Sequence, residues 1–133
     1  MTWRNAIAAF LLTPIVLVAG YIILLWASYT SETTSSGSAY GFSIDSSKAE
    51  SAAALESFRQ AHPKAIVHVR SGHRAGDHFS VSASQDQLHL LQPHDQWDIL
   101  LNGAGEFSNS VRLTFKGDRL VTIYRHRQYF ELP

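Results

Sequence analysis

The chain of 133 residues contains no cysteine. That excludes any disulfide and a lipid-modified N-terminal cysteine. It leaves the compartment open, because a bridge-free fold is tolerated on either side of a membrane. Net charge is also missing: eleven Lys and Arg face eleven Asp and Glu. Setting Arg4 aside, ten basic residues (11 − 1) and all eleven acidic ones lie beyond residue 27. Nothing in that balance recruits nucleic acid or a strongly anionic surface.

Catalytic signatures are missing too. There is no HExxH, and no serine lies in GxSxG. Ser71-Gly72-His73 and Ala83-Ser84-Gln85 lack the nucleophile elbow and its strand-to-helix setting. Gly103-Ala104-Gly105 has no lysine at phosphate-loop spacing and reads as a turn. Asp95 and Asp98 are three apart beside a turn, and a glycosidase needs a sugar-sized cleft that a domain of about 90 residues hardly builds. No catalytic residue and no cofactor is assigned.

What is present begins with Ala6 to Ala27, 22 residues without a charged side chain. As a helix this run covers roughly 30 Å, the thickness of a bilayer's hydrocarbon core. Trp3 precedes it, and Trp26 and Tyr29 stand at its far end, where amphipathic rings favour the headgroup layer. Pro14 and Gly20 are tolerated in a membrane helix. A cleaved export signal fits less well. Its apolar core is about 7 to 15 residues, and Leu25-Trp26-Ala27 places a large residue three before the cut with Trp beside it. The short side carries Arg4, whereas the first basic residue on the long side is Lys48, which favours an N-terminus inside and a domain outside. In a bacterium that outside is the periplasm.

The expected organisation is an anchor helix over 1–27, a Ser/Thr-rich flexible spacer over 28–41 and a small α+β domain over 42–133. Within the domain, Ser47-Lys48-Ala49-Glu50 has the form of a capping box. The helix it starts carries a stripe of Ala49, Ala52, Ala53, Leu55 and Phe58, and ends before Pro63. Strands are expected over Ala65–Arg70 and His78–Ala83, as a hairpin with Val67 and Val69 opposite Phe79 and Val81. Further strands are expected at Gln87–Leu91 and Trp97–Leu101. The firmest pair alternates Val111, Leu113 and Phe115 with polar residues, turns at Lys116-Gly117-Asp118-Arg119 and returns through Leu120–Tyr124. One helix laid on an antiparallel sheet of about four to six strands follows, with one face dry and the other open to solvent or a partner.

All seven histidines fall in this domain. His68 and His78, on facing strands, and His73 are weak candidates for a metal, since a catalytic zinc needs about three protein ligands. The C-terminal Arg125, Arg127, Tyr129 and Phe130 form the aromatic and basic mixture that interfaces enrich, and are the expected partner-binding residues. Arg125 and Arg127 share one face of their strand, with His126 on the other. The expected function is a single-pass, membrane-anchored, non-catalytic protein-binding module. The rivals are a small envelope enzyme or histidine-based metal binder, and an accessory subunit acting through its membrane helix.

Overall fold

The computed structural model describes residues 2–70, 78–105 and 107–128. Helix α1 spans Trp3–Ser28 and is followed by strands β1 (Thr30–Thr34), β2 (Ser38–Ala39) and β3 (Phe42–Ser43). Helix α2 covers Lys48–Ala61, then come β4 (Ile66–Arg70) and β5 (His78–Ser82). A single 3₁₀ turn at Gln85–Gln87 runs into the short helix α3 (Leu88–Leu91). Strands β6 (Gln96–Leu100), β7 (Asn109–Lys116) and β8 (Arg119–Arg127) complete the chain. The fold is α+β, with six antiparallel strands in the order β1-β8-β7-β6-β4-β5.

Helix α1 is long and apolar enough to cross a membrane, and none of its residues is buried by the protein. Its 26 residues give roughly 39 Å of length. Between Ala6 and Ala27 it is apolar around its whole circumference, the pattern shared by a membrane anchor and a signal sequence, and not the single stripe of a helix packed on a sheet. Pro14 removes one backbone donor, and beside it the Thr13 hydroxyl donates to the Ala9 carbonyl at 2.7 Å.

The segment expected to be a flexible spacer is built differently. Only Tyr29 separates α1 from β1, which pairs along its length with β8 from Thr30 opposite Arg127 to Thr34 opposite Ile123. Threonine's branched side chain suits a strand, and β8 offers it a free edge. β2 and β3 then form a hairpin whose two loop residues, Tyr40 and Gly41, both have positive φ (55° and 86°), the conformation of a type I′ turn.

Helix α2 begins with the expected capping box: Glu50 N donates to Ser47 Oγ at 3.1 Å and Ser47 N donates to a Glu50 carboxylate oxygen at 2.7 Å. Its buried face is Ser51, Ala52, Leu55 and Phe58, with Lys48 at its start, whereas Ala49 and Ala53 are exposed. The stripe is therefore rotated from the expected one. Against the sheet this helix closes a core that includes Val67, Val69, Trp97, Ile99, Val111, Leu113, Phe115, Leu120 and Ile123. Trp97 Nε1 donates to the carbonyls of Leu91 and His94, both at 3.1 Å, so its one polar atom is satisfied inside the core.

The β4–β5 hairpin has the expected register, with Val67 opposite Val81 and Val69 opposite Phe79. The β7–β8 hairpin turns where expected, and a bulge between Thr114 and Phe115 leaves Val121 as an extra residue. The bulge lets Leu120 and Ile123, three apart, both enter the core. Gln87–Leu91 is helical instead of a strand. Leu88 and Leu91, three apart, meet the core from one side of a helical turn, which alternation along a strand would prevent.

Candidate functional site

Helix α2 covers one face of the sheet, and the other face carries a continuous row of side chains. The register places Thr33, Tyr124, Arg112, Asp98, His68 and Ser80 side by side, one from each strand. In the middle of the row Arg112 Nε donates to Asp98 Oδ1 at 2.6 Å. Gln96 Nε2 donates to the other oxygen of Asp98 at 3.2 Å. Asp98 is 7% exposed although it sits on the open face, and its carboxylate is balanced by these two donors. Arg112 remains half exposed, and beyond its Nε bond its guanidinium makes no other hydrogen bond among the described residues.

The loop between β6 and β7 folds back over this row. Phe107 lies edge-on to the His68 ring at 5.2 Å and is itself 48% exposed. Leu100, on the same face, is fully buried yet stands apart from the main core. Two hollows flank Phe107 and share Asp98, Phe107 and Arg112. One of about 340 Å³ is bordered by His68, Arg70 and Gln96, the other, of about 310 Å³, by Ser110, Tyr124 and His126. Together they make a shallow polar groove with aromatic walls.

His68 Nδ1 lies 3.0 Å from Ser80 Oγ, and its ring is 5.3 Å from that of His78. Partial burial lowers its pKa below the ordinary histidine value, the His78 and Arg70 charges lower it further, and Asp98 opposes them. The two histidines expected on facing strands thus do meet, but the third candidate, His73, lies outside the described residues. Among the described residues no three His, Cys, Asp or Glu gather as a metal site. His62 packs on Phe58 and His94 on Phe79, both at the margin of the core.

The expected C-terminal surface is placed as follows. Arg125 is 9% exposed, and it donates to the Ser110 carbonyl at 3.1 Å and to Asn109 Oδ1 at 2.6 Å. Its guanidinium lies 5.9 Å from the Tyr40 ring. It knits β8 to β7 and to the β2–β3 hairpin. Arg127 is half-buried, and Tyr129 and Phe130 lie outside the described residues. His126 falls on the open face beside Tyr124, with the rings stacked at 6.3 Å, and Tyr29 at the end of α1 meets it edge-on at 5.8 Å.

Asp98, Arg112, Gln96, Phe107 and Tyr124 were not singled out as binding residues by sequence. In sequence Asp98 stands out only beside Asp95, and the fold separates the two: Asp95 pairs with Lys48 on the helix side of the sheet. The one available signal was alternation, since Arg112 lies between core residues Val111 and Leu113 and so must face outward. No protein-family model, curated protein or solved structure matches the chain.

Proposed function

We propose that the protein is a single-pass membrane-anchored, non-catalytic binding module that presents its open sheet face to a protein partner. The observation that carries this reading is the groove around Arg112: a charged group held by Asp98 and walled by Phe107 and Tyr124, on the sheet face opposite α2, where Arg112 stays half exposed. Arginine and aromatic side chains in a partly desolvated hollow are the residues on which interfaces concentrate their energy. Helix α1 supports the anchor, and Arg4 on its short side supports an N-terminus inside and the domain outside, in a bacterium the periplasm. Arg127, on the face of β8 opposite His126, and with it Tyr129 and Phe130, are proposed as further partner contacts on their basic and aromatic character alone.

The test is a photoreactive phenylalanine analogue at Tyr124, compared with one at Ala53 on the exposed side of α2 and one at Tyr21 in α1. In intact cells the reading predicts one discrete protein adduct from Tyr124, none from Ala53, and loss of the Tyr124 adduct with Arg112→Ala. Adducts from Tyr21 alone move the function to the helix and contradict it.

A further inference from the structure

The groove's charges are set up for one kind of ligand group. Arg112 is gripped through Nε, on one side of its guanidinium, so its orientation is settled before any ligand arrives. That leaves the two Nη groups as donors without a hydrogen bond among the described residues. An arginine fork of this kind matches two coplanar oxygens. Arg70 borders the same hollow and makes no ion pair among the described residues, while Asp98 is spent on Arg112 and Gln96. Among the described lining residues of this hollow, two arginines against one aspartate leave a single positive charge with His68 neutral. A monoanion balances that charge, and a phosphate dianion would bring a second negative charge close to Asp98. The walls agree: Phe107 supplies an apolar surface beside the fork, which suits a methylene-bearing side chain.

We infer that the groove is a carboxylate receptor, with Arg112 as the fork, Arg70 as the second cation and Phe107 as the wall for the carbon stem. Resting on the protein-partner reading above, the natural occupant is an Asp or Glu side chain of that partner. Protonation of His68 adds a positive charge beside the same hollow. The charged and titratable groups facing it are His78 from β5, Asp98 from β6, Arg70 from its own strand and Arg112 from β7. Binding of a carboxylate therefore tightens as the pH falls through the lowered pKa of His68.

The experiment is an NMR titration of the full chain in phosphatidylcholine nanodiscs, following the Arg112 Nε–H and His68 ring signals. Sodium acetate is the probe, and sodium chloride and inorganic phosphate are the comparisons. Saturable shifts with acetate, absent with chloride, support the inference, as does an affinity loss of about tenfold or more in Arg112→Lys, which keeps the charge and removes the fork. No saturable shift overturns it, and so does equal response to chloride. Phosphate binding more tightly than acetate at pH 8 overturns the carboxylate assignment. Signal dispersion in Arg112→Lys shows whether the variant is folded, and Arg70→Gln, away from the Asp98 pair, is the second variant. Should acetate fail to bind while the Tyr124 adduct persists, the inference falls and the binding-module reading stands. Acetate binding without any Tyr124 adduct supports the receptor and removes the protein partner.

Discussion

Lys48 shows how far a single residue can depart from its local role. In sequence it is the first residue of a helix, where a cation is unfavourable against the macrodipole. In the fold it is 6% exposed, donates to the Gln92 carbonyl and to Asp95, both at 2.8 Å, and lies 5.7 Å from the Phe115 ring. It fastens the start of α2 to the loop before β6. Because Asp95 itself stays largely exposed, removing the lysine leaves no stranded buried charge. Lys48→Met is expected to cost about 2 kcal/mol, the scale of a charged hydrogen bond, as read from denaturant midpoints. His68 gives a different test. Its pKa is lowered in the fold, so the unfolded chain binds its proton first as pH falls. The contribution is full above its ordinary value of 6.5 and is lost as pH falls through the lowered one. Glu50 is also lowered, but its window lies below 4.5. Thermal unfolding is expected to shift downward between pH 7.5 and 5.5 in the native chain. The shift should be smaller in His68→Gln, and an unchanged slope would show that His68 is not responsible.

At the scale of elements, the β4–β5 and β7–β8 hairpins and the capped helix were legible because each announces itself locally. Val67 and Val69, or Val111, Leu113 and Phe115, alternate within a few residues, and Ser47 and Glu50 satisfy each other's backbone donors. The two elements misread depend on distant partners. Thr30–Thr34 has no apolar run of its own and becomes a strand only because β8, about 90 residues later, offers an edge. Gln87–Leu91 has apolar residues compatible with either period, and the core beside α2 decides for helix. The groove was hidden for the same reason, since its row is assembled across all six strands from residues that look like ordinary surface. Two outcomes follow. Trp97→Ala, deleting the largest fully buried side chain, is expected to cost about 3 to 5 kcal/mol in the denaturant midpoint. Hydrogen exchange is expected to show amides of Thr30–Thr34 protected relative to Ser35–Gly37, and Thr33→Pro to abolish that protection while β6 to β8 keep theirs. Uniformly fast exchange across residues 30–37 would restore the flexible spacer.

For the whole molecule, the join between α1 and β1 matters most. With only Tyr29 between them, the sheet follows the apolar helix without slack, and Tyr29 rests on His126 at the edge of the open face. On the reading proposed here, the bilayer holds the sheet close to its surface and limits the directions from which a partner can approach the groove. The absence of cysteine makes the decisive measurement clean, since one introduced thiol is the only one to label. Ala53→Cys, on the exposed side of α2, is to be treated in intact cells with a maleimide that passes the outer envelope but not the inner membrane, with Thr2→Cys as the comparison. The account predicts labelling of Ala53→Cys before lysis, labelling of Thr2→Cys only after lysis, and full-length protein remaining with the membranes after an alkaline wash. A shortened, washable protein, or Ala53→Cys labelled only after lysis, would contradict it.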